Sequence, residues 1–275
     1  MRRCTGDEEL SLPPPQALRE AVLDQIHAHG WIASSSWLAT VDSTNLAAKR
    51  ALASTASLPA LFVADEQTAG RGRGEHQWWS PAGCLMLTLA LGNDGAPTDR
   101  SQWALLGLVC GVAVADTISQ WIPPEQVQLK WPNDIYLGRQ KLSGMLIESY
   151  SAPQAGWLIG IGLNVNIDWE RAPAGLRDQA TCISSSRCQA LEPEIVLPTL
   201  LEKLETRIRQ WQAGGEEWFD EWLHRCLLSG QVIRVKAAGQ QIIGRCEGID
   251  RSGRLLIRDE LTVHALASAE ILAWR

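Results

Sequence analysis

The chain has 275 residues and a formal net charge of −6; 45% of its residues are hydrophobic and 20% are charged. The length suits one large domain, or one large and one small domain, and the composition is ordinary for a soluble globular protein. The acidic balance argues against non-specific binding to nucleic acid. No apolar run approaches the roughly 20 residues that a membrane helix needs, so no membrane segment is expected.

The N-terminal sequence and the cysteines indicate the cellular compartment in which the protein is expected. MRRCTGDEELSLPPP has acidic residues where a signal peptide has an apolar core, and we predict a disordered N-terminus over residues 1–12. The seven cysteines are an odd number with no C-x-x-C spacing, which favours reduced, mostly buried thiols in the cytoplasm. The five histidines keep no zinc-ligand spacing with them.

Helices and strands are predicted in alternation along the first half of the chain. PQALREAVLDQIHAHG reads as a short amphipathic helix, and TVDSTNLAAKRALAS as a strand end and a helix capped by Ser43, Thr44 or Asn45. Strands are expected near 60–65 and over 84–91, followed by an apolar helix over SQWALLGLVCGVAVADTISQW. VQLKW, IYL and KLSGMLIESY are further strands, and they imply a hairpin.

The second half of the chain changes from helices to short strands. WLIGIGLNVNI alternates apolar residues with glycine and asparagine, as a strand does. Two helices are expected near 193–212 and 215–228. From about residue 230, short β segments broken by turn residues fit a small barrel of about five strands. The predicted fold is therefore α+β, with a main domain over 13–228 and a small β domain over 229–275.

The sequence GRGRGEHQWW at residues 70–79, called the arginine loop below, has a composition that suits an anion. Glycines such as Gly70 let a ligand approach the backbone amides, and Arg71 and Arg73 offer forked donors for phosphate or carboxylate. Trp78 offers a flat face for a purine ring. A nucleotide phosphate site is one interpretation. A solvated surface loop with salt bridges is the other, and it is favoured for G-R-G-R taken alone, because neither common phosphate motif is matched.

The sequence LKWPNDIYLGRQKLSG places polar groups at a hairpin bend. Pro132 breaks the strand, so Asn133 and Asp134 lie at the turn, and Lys141 begins the return strand opposite them. A carboxylate facing an ammonium suits a cation-assisted phosphoryl or nucleotidyl step. A surface hairpin with an ion pair explains the same residues.

Two further segments have both a functional and a structural interpretation. In GIGLNVN, the glycines Gly160 and Gly162 share a strand face with Asn164, which suggests either a floor under a flat ligand or close packing of a neighbouring helix. The hydroxyls of VDSTN either cap a helix or belong to a helix N-terminus that presents donors to a small polar ligand.

In this order and spacing, the four segments resemble the catalytic region of the biotin–protein ligase family. The shared motifs are VDSTN, E-Q-x-A-G-R-G-R with W-x-S-P-x-G, K-W-P-N-D followed by K-L-x-G, and G-x-G-x-N-x-N, over about residues 38–170. The resemblance implies a mixed β-sheet domain of the class II synthetase-like, biotin–lipoate ligase type, with an SH3-like C-terminal barrel. About 40 residues before VDSTN are too few for a DNA-binding domain, so a monofunctional ligase is expected.

The resemblance implies a two-step reaction that uses ATP, Mg²⁺ and biotin. The biotin carboxylate attacks the α-phosphate to give biotinyl-5′-AMP, and a lysine of the biotin carboxyl carrier protein of acetyl-CoA carboxylase then takes the biotin. No DNA or membrane partner is expected, and a homodimer is possible because members often pair their sheets edge to edge. The alternatives are a lipoate-type protein ligase or octanoyltransferase, and a non-catalytic sensor of a biotin nucleotide.

The resemblance also implies roles for single residues. Lys141 would touch both the biotin carboxylate and the phosphate, Arg73 would hold the adenylate, and Asp134 would orient either Mg²⁺ or the incoming lysine. The other binding residues would line the biotin pocket or contact the nucleotide: Ser43, Thr44, Asn45, Gln67, Gly70, Arg71, Trp78, Asn133, Gly144, Gly162 and Asn164.

The arginine loop departs from the family pattern at two positions. Many members continue x-G-R-x-W after G-R-G-R, whereas this chain has Glu75 in place of the glycine and His76 in place of the arginine. A cation is lost and a carboxylate is gained beside the expected phosphate site, and His76 supplies only part-time charge near neutral pH. We therefore predict weaker retention of the adenylate than in members with the full pattern.

Overall fold

The computed structural model describes four stretches of the chain, which are residues 15–54, 56–74, 76–151 and 155–274. The predicted disordered N-terminus lies outside the described residues. The chain divides into two compact units, each made of two segments. The first unit lies within Met1–Asn93 and Leu142–Glu202, and the second within Asp94–Lys141 and Lys203–Arg275.

The predicted helices and strands occur in the predicted order, and two short helices that the sequence did not predict lie between residues 176 and 187. The α-helices are α1 (Pro15–His29), α2 (Thr44–Leu52), α3 (Leu106–Ile118), α4 (Leu176–Gln179), α5 (Ile183–Arg187), α6 (Pro193–Gln212) and α7 (Glu217–His224). The strands are β1 (Ser34–Val41), β2 (Ala60–Gln67), β3 (Cys84–Gly92), β4 (Val127–Lys130), β5 (Asp134–Leu137), β6 (Gln140–Tyr150), β7 (Gly156–Asn164), β8 (Val232–Ala237), β9 (Gln240–Ile249), β10 (Leu255–Arg258), β11 (Val263–Leu266) and β12 (Glu270–Trp274).

The first unit is built on a mixed sheet whose neighbouring strands follow the order β1-β2-β3-β7-β6. β1 and β2 are parallel, and the other pairs are antiparallel. Eight of the nine residues of β3 are buried, as the continuous apolar run predicts for a strand covered on both faces. Helix α2 lies on this sheet, where Ala48 and Leu52 pack with Phe62 and Leu158. The start of α2 is therefore fixed against the middle strands.

The second unit contains α3, α7, the antiparallel β4–β5 hairpin and a separate C-terminal sheet. That sheet has the order β11-β10-β9-β8-β12, and all its pairs are antiparallel. Ile233, Val235, Leu255 and Ile257 are fully buried and form its core. The α+β fold with a small C-terminal β module is confirmed. The limits of 13–228 and 229–275 stay a prediction. The second compact unit joins residues from both of these ranges.

The most apolar helical stretch of the described residues is Arg100–Ile118, a 3₁₀ turn that continues into α3. By length and composition it could cross a membrane, but two thirds of its most apolar 18-residue window is buried. Val109, Cys110 and Val112 have no exposed surface, and α3 packs on β4, β5 and α7. The apolar composition of this helix is accounted for by its burial inside the protein.

The cysteines of the described residues are all free thiols. Five of the six are buried, and Cys188 is exposed. The free, mostly buried thiols agree with the prediction from their number and spacing.

Candidate functional site

The VDSTN turn lies between the end of β1 and the start of α2. Side chains other than that of Ser43 accept hydrogen bonds from the backbone N–H groups at this point. Val41 and Gln67 are register partners in the parallel β1–β2 pair, which brings the Gln67 side chain to the helix. Its Oε1 accepts from the backbone N of Thr44 at 2.8 Å. Asp42 Oδ1 accepts from the backbone N of Ser43 at 2.7 Å. Within the described residues, the Ser43 hydroxyl makes no capping hydrogen bond.

A network of polar side chains continues from this turn across the sheet. Thr88 Oγ1, on β3, lies 2.6 Å from Asn45 Oδ1 and 2.9 Å from Thr44 Oγ1. Gln67 Nε2 donates to Ser80 Oγ at 2.9 Å. We call these five side chains the polar network. Thr44, Asn45, Ser80 and Thr88 are all buried, so their hydrogen bonds determine how each side chain points.

Glu148 on β6 joins this network at Asn45, and the sequence reasoning did not single it out. Asn45 Nδ2 donates to Glu148 Oε2 at 2.8 Å and to the Leu146 carbonyl at 3.3 Å. Glu148 Oε1 also lies 3.2 Å from Arg71 Nη1. The available signal was that Glu148 is the one acidic residue in the predicted strand KLSGMLIESY.

The two glycines of β7 have different neighbours. A Cβ at Gly160 would lie 2.3 Å from Asn45 Oδ1, so this glycine makes room for a side chain of α2. The structural interpretation, close packing of a helix, therefore holds at Gly160. A Cβ at Gly162 would lie 2.5 Å from Cε2 of Trp78, so the indole covers this part of the strand. Gly144 on β6 is the register partner of Gly162.

Trp78 and Asn164 are packed into the first unit beside Cys84. Trp78 packs against a cluster that contains Cys84, Met86 and Cys182, and burial raises the pKa of the Cys84 thiol to about 12. Asn164 is buried, and its Nδ2 donates to the Thr181 carbonyl at 2.9 Å. This hydrogen bond ties the end of β7 to the segment before α5.

The arginine loop begins and ends in close backbone contacts. The backbone N of Trp78 donates to the Gly70 carbonyl at 3.0 Å, and that of Gly72 donates to the His76 carbonyl at 2.8 Å. A Cβ at Gly70 would lie 2.4 Å from the Trp78 carbonyl and 2.5 Å from Ser80 Oγ. Only glycine fits at this position, because the two ends of the loop meet there.

The charged side chains of the arginine loop differ in their surroundings. Arg71, at the start, is paired with Glu148, whereas Arg73 is an exposed residue between two glycines further along. His76 is exposed as well. Glu75 lies outside the described residues, so its predicted effect on the phosphate site stays a prediction.

The KWPND hairpin belongs to the second unit. Lys141 Nζ lies 2.7 Å from Asp134 Oδ1, and both side chains are mostly shielded, with 30% and 19% of their surface exposed. Asn133 is half-buried at the turn. The indole of Trp131, which is 3% exposed, donates from Nε1 to the Gly253 carbonyl at 3.0 Å. The structure thus brings together the carboxylate and the ammonium that the sequence places at this bend.

Lys130, the first residue of K-W-P-N-D, lies against aromatic rings. Its Nζ is 4.3 Å from the ring centroid of Trp274 and 5.3 Å from that of Tyr136. Burial lowers the pKa of Lys130 below its ordinary value. These contacts give Lys130 a structural partner at the end of β4.

The described residues contain no group of three or more histidine, cysteine, aspartate or glutamate side chains able to hold a metal ion. Among the predicted site residues, only Asp134 has a carboxylate, and this carboxylate contacts Lys141. Any divalent cation at this hairpin would therefore need most of its ligands from a substrate.

Comparisons with known proteins agree with this arrangement. A family model described as biotin/lipoate A/B protein ligase family matches residues 37–166. A biotin–[acetyl-CoA-carboxylase] ligase of Mycobacterium tuberculosis is 32% identical over 234 residues, which cover 82% of this chain and 85% of the relative. A protein of the same name from Paracoccus denitrificans is 30% identical over 243 residues, which cover 85% of this chain and 98% of the relative.

A solved structure, the biotin protein ligase of Aquifex aeolicus in complex with biotin and ATP, is similar over most of its length. The TM-score is 0.76 at 28% sequence identity, and the match covers 89% of this chain and 99% of the other. The likeness therefore includes both the mixed-sheet region and the C-terminal β module.

Proposed function

The chain belongs to the biotin/lipoate A/B protein ligase family, and we propose that it is a biotin–protein ligase. It activates biotin with ATP and transfers the biotin to a lysine of the carrier protein of acetyl-CoA carboxylase. The observation that carries this proposal is the VDSTN turn with its buried Ser43, Thr44 and Asn45, which is hydrogen-bonded through Gln67 to Ser80, the residue that follows the arginine loop. This arrangement offers donors and acceptors for a neutral polar ring next to cations for a phosphate.

The first step joins two anions, the biotin carboxylate and the α-phosphate of ATP. We propose that Lys141 and Arg73 offset the charge that accumulates as the carboxylate oxygen bonds to phosphorus and pyrophosphate leaves. Asp134, at 2.7 Å from Lys141 Nζ, holds the ammonium in one orientation. Asn133 would complete the nucleotide side of this hairpin.

On the biotin side, the pocket would be lined by the VDSTN turn and Gln67, whose hydrogen bonds fix their orientation. From the family resemblance, backbone at Gly144 and Gly162 would come close to the ligand. At Gly162 the Trp78 indole occupies the space that a side chain would need, so the ligand would reach the strand beside the indole. Trp78, which already covers Gly162, would pack on the adenine ring.

Asp134 is compatible with a magnesium ion carried by the nucleotide. Mg²⁺ is commonly held by one or two carboxylates together with substrate phosphates, and the described residues provide only Asp134 at this hairpin. When bound, the ion would neutralise charge on the phosphates. Asp134 would then serve both the ion and Lys141.

In the second step, the neutral amine of the carrier lysine attacks the acyl carbon of biotinyl-5′-AMP. An amide bond forms, the bond to the phosphate oxygen breaks, and AMP and a proton are released. The adenylate is a mixed anhydride that water also attacks, so the arginine loop would protect it by closing over it.

Biotin-dependent exchange between ATP and pyrophosphate tests the proposal. We expect exchange with biotin and a carrier domain that gains the mass of one biotinyl group. Lys141→Ala should remove most of the exchange, while Lys49→Ala, on an exposed face of α2, should retain it. Exchange with lipoate alone would identify the rival ligase, and nucleotide binding without exchange would identify a sensor.

The cellular compartment and the oligomeric state of the protein are also proposals. The six described thiols are free, which supports a reducing compartment such as the cytoplasm. A homodimer is proposed from the family resemblance, and light scattering across a range of protein concentrations would test it.

A further inference from the structure

We propose that Glu148 is a positioning residue that connects the biotin-binding turn to the start of the arginine loop, and that Arg71 holds this loop in place through Glu148 rather than by contacting phosphate. The inference rests on the proposed function, because it assigns a role within the same site. It changes the part expected of Arg71 and adds a residue that no motif contains.

One carboxylate makes both contacts. Glu148 Oε2 accepts from Asn45 Nδ2 at 2.8 Å and from Arg71 Nη1 at 3.3 Å, and Oε1 lies 3.2 Å from the same Nη1. Hydrogen bonds to an ionised acceptor are stronger than neutral ones, so this one carboxylate holds an amide and a guanidinium at once. Glu148 is therefore a direct link between the turn and the loop.

The contact with Asn45 decides which end of the amide faces which neighbour. Asn45 Oδ1 lies 2.6 Å from Thr88 Oγ1, and Nδ2 donates to both Glu148 and the Leu146 carbonyl. Because Glu148 is an acceptor when ionised, a flipped amide would place two oxygens against each other. Glu148 thus fixes the orientation of a residue that is 3% exposed in the predicted pocket.

The contact with Arg71 lies where the arginine loop is most restrained. Arg71 and Gln77 form an isolated antiparallel bridge, and the neighbouring Gly70 is packed against Trp78. The Arg71 backbone is therefore held from both sides of the loop. Arg73 follows two residues later, exposed and next to Gly74, which has a φ of +61°. This pattern assigns the first arginine to holding the loop and leaves the second for the phosphate.

The pair of Arg71 and Glu148 is partly exposed, with 44% and 31% of the side-chain surface accessible. Solvent screening limits what such a pair contributes, so we expect effects of about two- to fivefold on loop-dependent steps. A direct cation contact to a phosphate at a water-poor site would instead change binding by a larger factor.

A double-mutant cycle with Glu148→Gln and Arg71→Ala tests the proposal, with biotinyl-5′-AMP dissociation as the measurement. Each single variant should release the adenylate about two- to fivefold faster. The double variant should be no faster than either single variant, because both changes remove the same contact. Multiplicative effects would overturn the inference, and so would an Arg71→Ala effect at least tenfold larger than that of Glu148→Gln.

The Michaelis constants separate positioning from a general loss of structure. Glu148→Gln keeps an oxygen that accepts from Asn45, so KM for biotin should stay unchanged. Glu148→Ala removes that acceptor, so KM for biotin should rise. Glu125→Gln makes the same chemical change on an exposed residue of the second unit and should leave every parameter unchanged. An equal rise of KM for biotin in both Glu148 variants would contradict the proposed link.

The wild-type protein separates this inference from the proposed function. Absence of biotin-dependent ATP–pyrophosphate exchange in the wild type would overturn both. Exchange in the wild type together with multiplicative variants would overturn only the role of Glu148 and Arg71.

Discussion

Replacing Thr88 by valine should disturb the polar network without leaving a cavity. Thr88 has no exposed surface, and its hydroxyl contacts Asn45 Oδ1 at 2.6 Å and Thr44 Oγ1 at 2.9 Å. Valine keeps the branched shape but cannot form a hydrogen bond. The buried Asn45 oxygen would lose its partner, and leaving such a group unsatisfied costs about 1–3 kcal/mol. Thr44 Oγ1 keeps its hydrogen bond to Gln67 Oε1, so the lost contact between Thr88 and Thr44 should add little to the loss of stability.

Thr117→Val is the matched control in the second unit. Thr117 is equally buried, but its hydroxyl donates to the Ala113 carbonyl at 2.8 Å within α3. That carbonyl also accepts the backbone hydrogen bond of the helix, so it stays satisfied. We expect a loss below about 1 kcal/mol for Thr117→Val and about 2 kcal/mol for Thr88→Val.

Urea unfolding followed by tryptophan fluorescence measures both variants, because the chain has 13 tryptophans. The slope of the free energy of unfolding against urea concentration must be the same in the variants and the wild type, since a changed slope reports a change in the unfolded or folded ensemble. KM for biotin should rise in Thr88→Val alone, as Asn45 loses one of the contacts that orient it. Equal losses of stability in the two variants, with no difference in KM, would refute the reasoning.

Three further predictions concern other parts of the site. Gly160→Ala would place a Cβ 2.3 Å from Asn45 Oδ1, so it should lower the free energy of unfolding by about 1–3 kcal/mol. The loss should largely vanish in an Asn45→Ala background, as urea midpoints will show. His76→Arg adds a cation to the arginine loop and should slow the release of biotinyl-5′-AMP; equal release rates would reject this. The Arg50 hydrogen bond lowers the pKa of Asp42 from 3.8 to about 2. Asp42 should therefore add stability above pH 3.8 that is lost as the pH falls towards 2. If the free energy of unfolding of Asp42→Asn falls as steeply with pH over this range as that of the wild type, the prediction is wrong.

The fold could be predicted largely because its strands and helices have clear local patterns. The apolar run of β3 and the alternation in β7 each identify a strand, and the apolar helix α3 follows from its composition. The division into two compact units could not be predicted in the same way. It depends on contacts between distant segments, such as the β3–β7 pairing, that no local pattern contains.

The candidate site was predictable only where its residues belong to motifs. Thr88 and Glu148 are separated from Asn45 by 43 and 103 residues, so only the strand register brings them together. Thr88 is hidden in an apolar strand, and Glu148 in a mixed one. Their side chains complete the hydrogen bonds of a motif residue, which explains why a reading of motifs finds Asn45 and misses both partners.

The register also bears on the two interpretations of the VDSTN hydroxyls. If Ser43 capped α2, its hydroxyl would be occupied by a backbone amide. Instead, Gln67 reaches the Thr44 amide from the parallel strand β2, and Asp42 accepts from the Ser43 amide. These two side chains bind the amides of Ser43 and Thr44, and among the described residues the Ser43 hydroxyl itself makes no capping hydrogen bond to the next amides of α2. A buried hydroxyl released from capping is what a pocket for a small polar ring requires, and this favours the binding interpretation of the turn over the purely structural one.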